Sequence, residues 1–199
     1  MRVIGGELRG RKLSVPKDDA VRPTTDRVKE SMFNLIGGFL EEDTVVYDLF
    51  SGTGGLGIEA LSRGAGKAYF CDRSRNSYDL TRKNLRDCRL EDRSRCVFGD
   101  FRKAVEQFDA PADLVFLDPP YGLDLWKPAS DLLLEKGKLR DGAVLVMEHG
   151  EKQSLKGLDP RLELIKERKY GLILVTIYRY REIPEGSGDQ DEVAPIGEQ

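Results

Sequence analysis

Between residues 45 and 148, short apolar runs alternate with longer amphipathic segments, and this alternation restricts the possible folds more than any other feature. The runs "VVYDL" (45–49), "KAYFCD" (67–72), "SRCVF" (94–98), "DLVFLD" (113–118) and "GAVLVME" (142–148) read as strands. Segments 55–63, 74–88, 100–108 and about 124–136 read as the helices between them. Repeated β-α units of this length need right-handed crossovers onto a parallel sheet with helices on both faces. The expected fold is a doubly wound α/β domain.

The last part of the chain departs from that rhythm. "LELIKERKY" (162–170) and "LILVTIYRY" (172–180) are separated only by Gly171, too little for a crossover helix, so they are expected to pair as an antiparallel hairpin at one sheet edge. A mostly parallel, seven-stranded Rossmann-like sheet ending in such a hairpin is the layout of S-adenosylmethionine (SAM) methyltransferases, whereas dehydrogenase domains usually end in another parallel unit. At the other end, "RVIGG" and "RKLSV" flank "ELRG" and suggest a small N-terminal β-hairpin carrying Arg2, Arg9, Arg11 and Lys12. In "RPTTDRVKESMFNLIGGFL", Pro23 bars helix before Thr24, and Thr24 or Thr25 can cap a helix beginning just after them. Val28, Met32, Leu35, Ile36 and Phe39 share one face, which predicts that helix over 26–39.

A chain of 199 residues suits one well-buried domain. It is read as residues 1–181, with 1–24 as a basic extension, followed by an acidic tail. The tail, 182–199, holds six acids and no Lys or Arg, a composition expected to be disordered. Without it the 32 basic residues face 29 acids, and residues 1–30 carry eight basic against five acidic residues, which places the surplus at the N-terminal end. No apolar run nears the roughly 20 residues of a membrane span, and "MRVIGGELRG" lacks the apolar core of a signal peptide; a cytoplasmic monomer is expected. Cys71, Cys88 and Cys96 are odd in number and lack CxxC spacing, so free thiols and no metal are expected. His149 is the only histidine, and no nucleophile elbow accompanies it.

"YDLFSGTGGLGIEAL" places Asp48 at a strand end and Gly52, Gly54 and Gly57 before a helix, satisfying GxGxxG. In a dinucleotide fingerprint the helix N-terminus receives a pyrophosphate, and an acid four residues upstream would repel it. A ligand with a cationic amino-acid end would welcome Asp48; SAM has that end, a sulfonium and no phosphate. Asp72 ends the second strand, where a carboxylate can accept both ribose hydroxyls, a feature that SAM and NAD share. Asp100, in "VFGDF", can accept from an adenine amine, with Phe101 beside the ring, or can cap a helix. Phe50, within the loop, joins this cofactor-binding set.

The strand 113–118 runs into "DPPY". An exocyclic amine on a base is a poor nucleophile, because its lone pair is delocalised into the ring. Two acceptors on its N–H groups hold the nitrogen and favour positive charge during attack. The Asp118 carboxylate and the Pro119 carbonyl can be those acceptors. Pro119 and Pro120 lack amide hydrogens and have fixed φ, and Tyr121 offers a face for a planar base.

Together with "RVIGGELRGRKL", "RPTTDRVKESMFNLI", "DLFSGTGGLGIEALSRGA", "LDPPY" and the C-terminal "KYG", these residues make the chain resemble the bacterial RsmD-type methyltransferases over about residues 2–181. The resemblance implies methylation of the exocyclic N2 of a guanine in 16S ribosomal RNA, in an assembled or partly assembled small subunit. It also implies SAM contacts at Asp48, Gly52, Gly54, Asp72 and Asp100 and catalysis at Asp118 to Tyr121. Arg22 and Thr24 to Arg27 match a segment near the active-site mouth. Asp72 stands where the family commonly has Glu, an apolar run follows "KYG" where the family often has Asp-Thr, and Glu148 fits the family better than His149. RNA contact is expected to be electrostatic, through Arg2, Arg9, Arg11, Lys12, Arg22 and Arg27, with modest affinity for naked RNA. Competing readings are a DNA adenine-N6 or cytosine-N4 enzyme, for whose target-recognition domain the chain has no room; an NAD-dependent oxidoreductase, which leaves "DPPY" unexplained; and a non-catalytic RNA-binding scaffold.

Overall fold

The computed structural model describes residues 1–16, 26–36, 40–120, 122–151, 153 and 155–183. Seven strands form one sheet in the order β3-β2-β1-β4-β5-β7-β6. The strands are β1 (Val45–Asp48), β2 (Lys67–Asp72), β3 (Ser94–Phe98), β4 (Ala112–Leu117), β5 (Leu139–Gly150), β6 (Leu162–Tyr170) and β7 (Ile173–Tyr180). The first five pair in parallel, and β7 runs antiparallel to both β5 and β6. The expected α/β layout and its edge hairpin are therefore present, with β7 seated inside and β6 on the rim.

Interior parallel strands are covered on both faces, so their sequences read as continuous apolar runs; in β4, Leu114 to Leu117 are all buried. The helices α1 (Asp26–Ile36), α2 (Gly55–Ser62) and α3 (Arg75–Cys88) cover one face, where Met32, Phe33, Ile58, Leu61 and Leu85 meet Val46, Phe70, Leu114 and Phe116. On the other face α4 (Phe101–Gln107) and α5 (Trp126–Glu135) pack Val105, Trp126 and Leu133 against Tyr47, Tyr69, Val115 and Leu145.

Two boundaries differ from the sequence reading. β5 begins at Leu139 rather than 142, because Leu139 pairs with Ala112 across a register shift in β4. The N-terminal hairpin is present but short: one antiparallel bridge, Arg2 to Lys12, is flanked by the Val3 and Leu13 amides donating to the Arg11 and Met1 carbonyls at 2.9 and 3.0 Å. Its neighbouring amides are drawn elsewhere: Ile4 and Gly5 donate to the Glu59 carboxylate at 2.8 and 2.7 Å, and Glu7 and Leu8 donate to Ser62. The extension is thus stitched to α2 as well as to itself. Helix 26–39 is described as far as Ile36; Arg22, Thr24, Thr25, Phe39, Tyr121 and the tail from residue 184 lie outside the described residues.

Candidate active site

A cleft of about 600 Å³ opens beyond the carboxyl ends of the parallel strands. It lies where the strand order reverses between β1 and β4, the place at which open α/β sheets bind ligands. Its floor comes from the turn between β1 and α2. Asp48 ends β1, is buried, and accepts the Gly57 amide at 3.1 Å. Gly54 caps α2 in the left-handed region, φ 77°, a conformation that a side chain resists. A Cβ on Gly57 would lie 2.3 Å from the Phe70 ring, so that glycine lets α2 approach β2. Gly52 lines the cleft with Asp48, and Gly54 supplies the cap of α2.

Asp72 also lines the cleft, and its carboxylate already accepts two amides, Gly52 at 2.9 Å and Ser74 at 2.8 Å. Each oxygen keeps a second lone pair for a ligand hydroxyl. Asp100 caps α4, accepting the Arg102 amide at 2.9 Å, pairs with the Arg102 guanidinium at 3.1 Å, and lines the cleft. The rings of Phe50 and Phe101 meet at 5.5 Å, tilted by 59°, beside it.

Asp118, Pro119 and Pro120 form the facing wall. The pairing of Leu117 with Met147 sets Asp118 beside Glu148, which also lines the cleft. Burial, then Glu148, then Asp48 hold the Asp118 carboxyl well above the usual carboxylate range. Burial likewise raises Asp48 to about 7, against the opposing pull of the Gly57 amide. Three carboxyl groups converging in one cleft favour a cationic ligand, which stabilises their charged forms. A sulfonium-bearing nucleoside fits this donor set; a pyrophosphate does not.

Of the expected substrate contacts, Arg2 pairs with Asp26 at 2.8 Å, and Arg11 donates to the Asp87 carbonyl at the end of α3. Arg9, Lys12 and Arg27 are exposed. His149 is buried away from the cleft, bonded to Thr176 at 2.8 Å and edge-on to Trp126. Cys71 and Cys96 are pushed by burial to about 12, which keeps both as neutral thiols.

Sequence reasoning missed Lys29 and Glu59. Lys29 has no exposed surface, yet it borders the cleft and donates to the Arg2 carbonyl at 2.6 Å and to Glu59 at 3.0 Å. Glu59, equally buried, also takes Arg63 at 2.8 Å. This pair joins the N-terminal segment, α1 and α2 at the cleft wall. The one sequence signal for it was a lysine adjacent to Val28 on the apolar side of α1.

Comparison with known proteins decides the family. Residues 1–179 match the family model described as conserved hypothetical protein 95. The ribosomal RNA small subunit methyltransferase D of Escherichia coli K12 is 35% identical over 191 residues, covering 96% of this chain and 94% of that protein. The chain belongs to the RsmD family. The solved structure of Escherichia coli yhhF superposes with a TM-score of 0.81 at 32% identity, covering 92% of this chain and 99% of that one. A Salinibacter ruber RNA methyltransferase solved with S-adenosyl-L-homocysteine shares the fold, at TM-score 0.62 and 21% identity, over 82% of this chain and 97% of that one. As a member of the RsmD family the chain is a SAM-dependent methyltransferase, and the converging carboxyl groups suit that cofactor.

Proposed function

We propose that this protein methylates the exocyclic N2 amine of a guanine in 16S ribosomal RNA, of the guanine(966)-N2 type, acting in the cytoplasm as a monomer on the small subunit or its assembly intermediate. The observation that carries this reading is the position of Asp118, at the end of β4, beside Glu148 and in the same cleft as Asp48. SAM supplies an electrophilic methyl group when bound. Asp48 and the loop at Gly52 would hold its amino-acid end, Asp72 its ribose, and Asp100 with Phe50 and Phe101 its adenine.

The remaining chemistry belongs to the chain. Asp118 and the Pro119 carbonyl accept the two N–H groups of the target amine, orienting its lone pair. Leu123 N–H donates to the Pro120 carbonyl at 3.2 Å, a bond that ties down the turn following Pro119. An Asp118 carboxyl with raised proton affinity is suited to hold the proton that the amine sheds after alkylation. Tyr121, expected from the sequence, would stack on the extruded base. Arg9, Lys12 and Arg27 are exposed for phosphate contact, and Arg2, Arg11, Arg22 and Thr24 complete the expected substrate set.

With labelled SAM and undermethylated small subunits, the wild type is expected to transfer methyl groups. Asp118→Ala should abolish transfer while SAM still binds. Transfer that survives the substitution refutes the acceptor role. Mass spectrometry of digested RNA should place the label on guanine N2; label on adenine N6 would replace the guanine reading.

A further inference from the structure

The basic surplus of the chain is not confined to its N-terminal end. Residues 73–103 carry ten basic and five acidic residues, a larger excess than residues 1–30. Much of it lies on α3, whose inner face is committed to the fold. There Thr81 donates to the Gly52 carbonyl at 3.0 Å, and Asn84 bonds Thr53 and Ser14.

The outer face is different. Arg75, Tyr78, Arg82, Arg86 and Arg89 follow at three- and four-residue spacing, one row along the helix, about 20 Å long at 1.5 Å per residue. Phe98, the last residue of β3, lies against this row with 49% of its surface exposed. Its ring is 5.6 Å from Tyr78. The Arg75 guanidinium sits 5.5 Å from Phe98, and that of Arg82 sits 5.6 Å from Tyr78. The acids of the helix are already occupied, Asp79 with Arg75 and Asp87 with Lys83. Among the described residues no carboxylate pairs with Arg82 or Arg86.

An exposed ring, Phe98, beside a half-buried one, Tyr78, interleaved with guanidinium groups, is the kind of face that unstacked bases and their phosphates bind. The location agrees. Gly99, which follows Phe98, lines the cleft, as do Arg73, Ser74 and Ser77 at the start of α3. From β4, where Asp118 stands, to β3 is three strand spacings, about 14 Å. The basic extension adjoins the far end of the same helix, through Arg11 on the Asp87 carbonyl and Lys83 on Ser14 at 2.8 Å.

We propose that the outer face of α3 with Phe98 is a second RNA-binding surface, which takes a single-stranded stretch flanking the target nucleotide. Phe98 and Tyr78 stack on bases, and Arg82 and Arg86 bind phosphates. The inference rests on the reading that RNA is the substrate.

The test combines Arg82→Glu with Arg86→Glu, and separately uses Phe98→Ala and Phe98→Trp. Binding is measured with a protein-free fragment of small-subunit RNA, and turnover with undermethylated subunits. The double reversal should weaken RNA binding more than tenfold and flatten its logarithmic salt dependence by about 1.4. Phe98→Ala should weaken it about tenfold, and Phe98→Trp should restore it. SAM affinity and melting temperature should stay at wild-type values. As a control for net charge, Lys127→Glu with Lys136→Glu on α5 should have a much smaller effect. RNA affinities within twofold of wild type, or an equal loss in the α5 control, overturn the proposal. Loss of turnover on subunits with unchanged binding to protein-free RNA also overturns it, and would assign the face to a ribosomal protein. A wild type that binds and methylates no RNA would instead defeat the underlying reading of function.

Discussion

Asp48 combines two requirements that pull apart. Its backbone ends a fully buried strand, and its carboxyl must still face a cationic ligand. Burial lifts its proton affinity to about 7, so at slightly acid pH the free protein holds it neutral. A cationic ligand binds the ionised form, and affinity for SAM should therefore rise as pH climbs through about 7. Calorimetry in buffers of different ionisation enthalpy should show proton release on binding near pH 6 and little at pH 8, and Asp48→Asn should remove most of that difference. Tyr69 poses a simpler problem. Its hydroxyl is buried with no hydrogen-bond partner among the described residues, while its ring packs on Tyr47 and Phe108. An unsatisfied buried hydroxyl costs about 1–3 kcal/mol. Tyr69→Phe should accordingly stabilise the protein by about 1 kcal/mol in urea titration.

Elements were legible in the sequence where their signal was local. The alternation of apolar runs marks each strand of the parallel sheet to within a few residues, and Asp48, Asp72, Asp100 and Asp118 all lie at the cleft because strand ends can be read directly. The N-terminal hairpin is legible, but its length is not, because the amides of Ile4 and Gly5 bond Glu59, more than fifty residues away. Lys29 is half hidden for the same reason: its place on the apolar side of α1 marks it as unusual, but its partner Glu59 is thirty residues away and only the tertiary fold brings them together. Gly54 caps α2 in the left-handed region, and a glycine pattern alone does not separate that role from close approach to a cofactor. Removing one partner of a buried ion pair leaves an uncompensated charge, at a cost of about 3–5 kcal/mol. Lys29→Met should lower stability by about 3 kcal/mol, measured by denaturant unfolding. At the other end of α3, Arg89 takes φ 58° where glycine is favoured, and Arg89→Gly should raise stability by about 1 kcal/mol.

Across the whole molecule, the cleft makes stability depend on pH in an unusual sense. An unfolded carboxyl ionises near 3.8, whereas folded Asp48 keeps its proton to about 7, and Asp118 is shifted the same way. Between 3.8 and about 7 the folded state binds more protons at Asp48, so this carboxyl's contribution makes stability fall as pH rises through that range, and Asp118 acts in the same direction. Asp87 and Asp159, shifted downward by Lys83 and Arg161, act in the opposite sense, and only below about pH 4. The ligand-free protein should melt at a lower temperature at pH 8 than at pH 5, with the gap narrowed by saturating SAM and by Asp48→Asn.

The position of β7 bears on how the chain reaches this state. β7 lies between β5 and β6, although it is made after both. While a ribosome is still synthesising the chain, β5 therefore presents an unpaired edge, and β6 has no native neighbour until the final strand emerges. Sheet completion is necessarily one of the last folding events, and a nascent chain stalled before residue 173 would carry an open parallel sheet prone to pairing with other chains.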